Sequence, residues 1–478
     1  MCSWPNCHTM SVAEVRVNLA EFSRNSFKHH FFVNREHSMS RTIQRRQFVK
    51  TSAALAAASI RPAPLRAYSP NARLRTAHVG VGGMGGADLK SVSSHGAVEV
   101  AALCDVDANI LKAAAATFPK ARTFRDYRQM ISAMGDTIDA VVVSTPDHTH
   151  APAAMTSLNH SKPVYCQKPL THEVFEARQL RLVAREKGLV TQMGIQASAG
   201  LPYRRATQMI QSGVIGKVSK VLAWSYKNWG YDGPAFTSFD EIPQNLDWDL
   251  WIGTAAMRPY KKGIYHQGTW RKQIDFGTGT LGDMGVHIFD TPYRALALTF
   301  PTWVRTTCRK PTGVGHPENN IVEYEFPGTP YTTDTMRWTW YDGTNVPPST
   351  NGLGVPEAVK LPRQGSLFVG EAGTMLLPHS SEPRLFPEDK FRETSRPELG
   401  PRNHYHQWVD ACMGTGKTSS PFGYAGRLTE ALLLGVVANR FPGRKLSWNA
   451  ETLSVTNLPE ANALLKTKAR SGFQVAGL

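Results

Sequence analysis

The chain has 478 residues, 41% hydrophobic and 19% charged. That balance suits large folded domains and excludes a disordered chain, and no apolar run approaches the roughly 18 residues that span a bilayer, which excludes integral membrane association. Its 54 basic and 38 acidic residues leave a formal charge of +16, which taken alone points to an anionic partner such as nucleic acid.

The charge is unevenly placed. Residues 1–67 hold ten basic and three acidic residues, so +7 of the +16 belongs to them and +9 to the rest. Within them, Arg45-Arg46-Gln47-Phe48-Val49-Lys50 precedes a weakly apolar Ala-rich stretch and a Pro/Ala segment ending at Ala67. That is the layout of a signal peptide. The paired arginines resemble a twin-arginine export motif, which implies a folded protein exported to the periplasm. Met39 is a plausible start, and 1–67 is set apart from the fold. Residues 74–478 carry no basic run and no recognition motif, so nucleic acid is not expected as a partner.

From Leu74 onward strands and helices alternate. Leu74–Val81 is an apolar run ending in glycines, and 85–94 has helical character. Val98–Val106 is a second run, followed by a helical 108–117. Ile138–Ser144 is an almost continuous β-branched run, as expected of a strand buried on both faces. Shorter runs at 163–166 and 189–193 are separated by helical stretches near 151–160 and 173–187. The alternation predicts a doubly wound parallel sheet, a Rossmann domain over 74–195.

After Gln196 the texture changes. The runs at 218–226, 320–326 and 332–340 are longer and aromatic, with Gly/Pro/Asn-rich loops at 227–247 and 341–366. They predict a second α/β domain over 196–450 built on an open, mainly antiparallel sheet. An apolar helix is expected at 426–439, and 451–478 is a terminal tail.

Gly80-Val81-Gly82-Gly83-Met84-Gly85 fits G-x-G-x-x-G between a strand and a helix. Gly80 allows the tight turn, Gly82 a close approach of pyrophosphate, and Gly85 close packing of helix on strand. Asp105, twenty residues past Gly85, stands where a carboxylate accepts from a ribose 2′-hydroxyl and repels a 2′-phosphate. NAD is therefore expected over NADP. Asp107 is the less favoured candidate, two residues further into the turn.

Thr145-Pro146-Asp147-His148-Thr149-His150 and Gln167-Lys168-Pro169 follow the fourth and fifth expected strands, at the carboxyl edge where open α/β sheets bind ligands. A lysine there is suited to acid–base work. In Gly282-Asp283-Met284-Gly285-Val286-His287, helical spacing puts Asp283 and His287 on one face, with the acid orienting the imidazole. Asp290 follows three residues on. Asp283, His287 and Asp290 could ligate a metal, but further ligands are lacking and no metal is expected. Cys104, Cys166, Cys308 and Cys412 form no C-x-x-C pair and read as reduced thiols. Trp229, Tyr231, Trp248, Trp251, Tyr265, Trp270 and the His404–Trp408 segment read mostly as core or interface, with a few lining a sugar pocket.

These motifs, with Leu246–Gly253 and Gly365–Gly370, give the chain a resemblance to the Gfo/Idh/MocA family of sugar-related oxidoreductases over roughly residues 74–450. The resemblance implies Lys168, Asp283 and His287 as catalytic. It implies a cofactor-contacting set of Gly80, Gly82, Gly83, Met84, Gly85, Asp105, Thr145, Pro146, His148, His150, Gln167, Lys168 and Gln196. Gln167 stands where that family usually carries Glu, which removes a charge beside Lys168. The implied activity is NAD-dependent hydride transfer at a secondary alcohol of a sugar, polyol or glycoside, in a homo-oligomer (dimer or tetramer). Export implies a tightly retained cofactor. Two alternatives stay open: a glycoside hydrolase using transient oxidation and elimination, and a catalytically silent binding protein.

Overall fold

The structure is a computed structural model that describes residues 72–478. The Arg45-Arg46 motif and the expected start at Met39 lie outside the described residues.

The first layer is a six-stranded parallel sheet in the order β3-β2-β1-β4-β5-β6. Its strands are β1 (Leu74–Val79), β2 (Val98–Cys104), β3 (Arg122–Phe124), β4 (Ala140–Val143), β5 (Val164–Gln167) and β6 (Thr191–Gly194). The crossovers are α1 (Met84–Ser93), α2 (Ala108–Thr117), α3 (Tyr127–Met134), α4 (Asp147–Asn159) and α5 (Val174–Glu186). Every residue of β4 is buried. An unbroken Ala-Val-Val-Val run suits a strand covered on both faces. The order reverses between β1 and β4, so a crevice opens at their carboxyl ends. The short β3, three exposed or half-exposed residues, carries no hydrophobic period in the sequence, while the helix α3 buries Met130, Ile131 and Met134 at helical spacing and was not among the predicted elements.

The second sheet has nine strands in the order β13-β12-β11-β7-β10-β9-β8-β14-β15. These are β7 (Val218–Ser225), β8 (Trp303–Thr307), β9 (Ile321–Pro327), β10 (Thr332–Asp342), β11 (Gln364–Gly370), β12 (Thr374–Pro378), β13 (Arg384–Phe386), β14 (Lys445–Asn449) and β15 (Ser454–Val455). Its ladders are antiparallel except that of β7 with β10, which is parallel. The sheet is thus mixed and mostly antiparallel. Five helices accompany this half: α6 (Leu201–Gln211), α7 (Trp248–Ile252), α8 (Val286–Ala295), α9 (His404–Cys412) and α10 (Phe422–Ala438).

Two contacts fix α8 and α10. Phe289 on α8 packs on Trp338 of β10 with ring centroids 3.9 Å apart, both fully buried. The helix α10 lies between the second sheet and α5. A Cβ at Gly426 would stand 2.8 Å from the Ala177 carbonyl oxygen, so only glycine permits that helix approach. Among the described residues, no helix is long and apolar enough to cross a membrane.

The tail after residue 450 folds back over the first layer. Thr467 N–H donates to Glu173 at 2.9 Å, and Asn159 donates to the Ala476 carbonyl at 2.9 Å.

Candidate functional site

The glycine turn leaves β1 and enters α1. Gly80 and Gly83 have φ of +80° and +52°, the left-handed region where a side chain is strained. A Cβ on Gly80 would lie 2.5 Å from the Ser144 carbonyl oxygen, and one on Gly85 2.2 Å from that of Gly80. Gly83, by contrast, faces open space. It caps α1 without any side-chain hydrogen bond. The first-turn N–H groups and the helix dipole are thus available to an anion.

Asp105, at the end of β2, braces this turn. Its Oδ2 accepts from Val81 N–H and its Oδ1 from Asp107 N–H, each at 2.9 Å. A carboxylate has about four lone-pair positions, so both oxygens keep capacity for a ribose hydroxyl. Burial raises the Asp105 pKa, against those two backbone hydrogen bonds. Asp107 serves instead as the N-cap of α2 and accepts from Asn109 N–H at 2.9 Å, and it faces His266 at 3.0 Å.

Gly80, Gly82, Gly83, Met84, Asp105, Thr145 and Pro146 line one cavity. Its other walls come from segments outside the glycine motif. They include Arg125 and Tyr127 after β3, Trp251 and Gly253 from α7 and its exit, His266–Gly268, Trp270, Arg271, and Phe473 of the tail. Trp251 and Gly253 fall in the Leu246–Gly253 motif and Trp270 in the aromatic set, while no local motif marks the others. The buried aromatic cluster of Trp248, Trp251, Tyr260, Tyr265, Trp270 and Phe276 forms a small core over the cavity.

Six residues of the expected cofactor set stand away from that lining, Gly85 among them because it packs against the Gly80 carbonyl. The helix α4 begins at Asp147, ahead of the helical stretch expected near 151–160, so the Asp-His-Thr-His run at the carboxyl edge is its first turn. His148 points inward, with Nε2 3.0 Å from the Trp251 carbonyl oxygen and its ring against Phe276. His150 bridges the carbonyl oxygens of Pro169 and Thr145 at 2.7 and 2.8 Å. Thr149, between them, lines the cavity instead. Gln167 is buried and donates to Asp88 on α1 at 2.8 Å. Gln196 donates to the Tyr405 hydroxyl at 3.0 Å, beside a separate surface cleft. Lys168 turns toward the second domain.

There, Lys168 Nζ donates to Asp283 Oδ1 at 2.7 Å and to the Asp283 carbonyl at 3.0 Å. Two of its three N–H groups are thereby used. Asp283 Oδ1 also accepts from Arg271 Nε at 3.1 Å, and Oδ2 from Trp229 Nε1 at 2.7 Å. Burial acts to raise the Asp283 pKa. The Lys168 and Arg271 cations outweigh it and hold the carboxyl well below its usual range. Arg271 lines the nucleotide cavity while holding Asp283, and so joins the two regions.

The expected Asp283–His287 contact is replaced. Leu281–Gly285 winds as a π-helical turn before α8 begins, which breaks the four-residue spacing. Asp283 hydrogen-bonds Lys168, Arg271 and Trp229, not His287. The His287 ring lies 6.0 Å from that of His379, and its Nδ1 is buried without a partner. Burial first, then the Lys168 ammonium, push its pKa well below the ordinary histidine value. Asp290 pairs with Arg294 at 3.2 Å and accepts from the Tyr424 hydroxyl at 2.7 Å. Among the described residues, no group of three or more His, Cys, Asp or Glu side chains could hold a metal ion. Cys104, Cys166, Cys308 and Cys412 are free thiols.

Comparison with known proteins bears on the two domains that frame this site. Residues 74–195 match the oxidoreductase family's NAD-binding Rossmann fold, and residues 200–297 its C-terminal alpha/beta domain. An inositol 2-dehydrogenase of Rhodococcus jostii is 34% identical over 150 residues, 30% of this chain and 40% of the relative. A glycosyl hydrolase family 109 protein of Stenotrophomonas maltophilia is 31% identical over 136 residues, 26% of this chain and 29% of the relative. The chain thus spans about 40% of the length of the first curated relative it matches. The fold is shared with GenD2 from gentamicin A biosynthesis in complex with NAD, at TM-score 0.55 and 20% identity, covering 80% of this chain and 99% of that one. It is also shared with the WlbA dehydrogenase of Bordetella pertussis in complex with NADH and UDP-GlcNAcA, at TM-score 0.56 and 16% identity, covering 79% and 99%. With the glycine turn, the brace at Asp105 and the two matched domains, residues 74–297 carry the two-domain pattern of the Gfo/Idh/MocA oxidoreductase family.

Proposed function

We propose that the protein is an NAD-dependent oxidoreductase acting at a secondary alcohol of a sugar, polyol or glycoside. One observation carries the reading: the Lys168–Asp283 ion pair at the sheet's carboxyl edge is tied by Arg271 to the nucleotide cavity. The residues fit the dinucleotide. Gly83 and the uncapped start of α1 suit its pyrophosphate, and Asp105 suits a ribose diol. When bound, the nicotinamide supplies reversible hydride acceptance.

The protein's own groups manage the proton. Lys168 has one N–H left after its two bonds to Asp283 and would place it on the alcohol oxygen, stabilising developing negative charge. His287, neutral beside that cation, would accept the hydroxyl proton. Trp229 and Arg271 hold Asp283, which in turn holds Lys168.

The proposal includes a retained cofactor, supported by cavity walls that come from three segments outside the parallel sheet as well as from the sheet itself. The leader at 39–67 supports export by the twin-arginine route, where a lost cofactor would be hard to replace. The same enclosure favours a second reading, a glycoside hydrolase that oxidises its substrate transiently and eliminates the leaving group. The stretch similar to the glycosyl hydrolase family 109 protein fits that reading too. Assembly into a homo-oligomer is part of the proposal.

The test is a panel of inositols, sugars and aryl glycosides given to the purified protein. NADH absorbance and leaving-group release are both followed. NAD-dependent turnover that is lost in Lys168→Ala and His287→Ala is expected. A protein that binds neither NAD nor NADH, or full activity in both variants, would sink the proposal.

A further inference from the structure

We propose that the C-terminal segment around Arg470–Phe473 is a wall of the nucleotide site, with Phe473 the apolar surface that packs on the adenosine end of NAD and slows its release. The proposal rests on the NAD reading above.

Phe473 is 7% exposed and lines the same cavity as Asp105, Val106, Arg125 and Tyr127. In the proposed site a ribose on Asp105 would direct its base toward Val106 and the residues after β3, which line the cavity together with Phe473. The ring is fixed there by two cations. The guanidinium carbons of Arg128 and Arg470 lie 4.3 and 4.2 Å from its centroid. Arg128 is itself held by Asp126 at 2.7 Å and donates to the Gly472 carbonyl at 2.6 Å.

Arg470 ties the segment to the other side of the cavity. Its guanidinium donates to the Gly253 carbonyl at 3.1 Å, to the Asp249 carbonyl at 2.9 Å and to Asp249 Oδ1 at 2.5 Å. Its N–H donates to the Thr254 carbonyl at 2.9 Å. Gly253 and Thr254 both line the cavity. The tail therefore clamps the exit of α7 to α3, and the clamp must loosen before a bound dinucleotide leaves past it.

Two measurements test this on the full chain. In the first, protein loaded with NAD is stripped of free nucleotide and its release is timed by assaying NAD in the filtrate. Phe473→Ala should release NAD about tenfold faster, the scale of one lost aromatic contact, and Phe473→Tyr should stay close to the parent. In the second, trypsin cleavage after Lys466 and Lys468, both exposed, should slow when NAD is added to the parent chain. This arm needs no variant to fold. Release at the parent rate from Phe473→Ala, or cleavage that NAD leaves unchanged while the parent holds NAD, would overturn the proposal. A parent chain that takes up no NAD overturns the nucleotide reading itself, and the wall with it.

Discussion

Gln167 Nε2 donates to Asp88 Oδ2 at 2.8 Å, so the carboxylate absent from position 167 is supplied from α1. Asp88 is fully buried and also accepts from Ser144 Oγ at 2.7 Å and from the Tyr405 hydroxyl at 2.9 Å. Gln167 Oε1 in turn accepts from Lys168 N–H at 3.1 Å. The negative charge near Lys168 is therefore displaced by one hydrogen bond, not lost. This departure from the family's usual Glu is compensated across 79 residues of sequence.

The compensation predicts a double-mutant cycle. Gln167→Glu alone puts two buried carboxylates in contact and should lower Tm sharply. Asp88→Asn alone breaks a three-donor site, at a cost of about 1–3 kcal/mol. Asp88→Asn with Gln167→Glu restores one carboxylate and one amide in the same pair. It should recover much of the loss, a coupling of about 1–3 kcal/mol in denaturant unfolding. Additive losses would exclude the swap.

Lys168→Met should lower kcat by about a hundredfold to ten-thousandfold, the range for a positioned acid–base group. The fold should survive, because Asp283 keeps Arg271 and Trp229 as partners. Circular dichroism checks the fold and steady-state kinetics the loss. Trp229→Phe keeps the ring and removes one donor to Asp283. A loss of about tenfold in kcat/KM is expected, from one hydrogen bond to a charged group.

Acid should destabilise the protein earlier than carboxylate titration would. Burial lowers the pKa of His78, His148 and His316 to about 3 in each case. Nδ1 of His78 and of His148 is buried without a partner, so protonation would place a proton where nothing accepts it. The unfolded chain protonates these rings near pH 6.5 and the folded chain does not. Their neutral-form stability is therefore full above about pH 6.5 and falls as pH drops through the window toward 3, by up to about 1.4 kcal/mol per pH unit for each ring. Tm should begin to fall near pH 6, and His148→Gln should flatten the slope. His287 follows the same sign, so kcat/KM should cross pH 6.5 without a histidine break.

Legibility in the sequence followed range. The glycine turn, Asp105, Lys168 and Asp283 sit in short motifs whose chemistry is local, and each could be named from its neighbours. The alternating strands and the buried β4 were equally visible. Partners that come from distant segments were not. Asp283 meets Lys168 across 115 residues and Trp229 across 54. Arg271 and Phe473 lie in stretches with no periodicity. The π-helical turn at Leu281–Gly285 defeated the spacing argument for His287, because a helix assumed regular places side chains four apart on one face. The inward turn of His148 and His150 was hidden for a related reason: α4 starts earlier than expected and buries both rings.

Asp105 braces the turn, and in the proposed site it would also favour NAD over NADP; the two roles can be separated. Asp105→Asn keeps an oxygen of the same shape for one backbone N–H, so the turn at Val81 should persist. The amide removes the negative charge that repels a 2′-phosphate. NAD affinity should fall by about tenfold, the scale of one charge-assisted hydrogen bond, while NADP affinity rises or holds. Asp105→Ala removes the brace as well, and affinity for both nucleotides should drop because the glycine turn loses its fixed geometry. Titration of each variant with NAD and NADP, followed by intrinsic tryptophan fluorescence, distinguishes the roles. Equal losses for the two nucleotides in Asp105→Asn would mean that the carboxylate serves the turn and leaves the choice of nucleotide to other walls of the cavity.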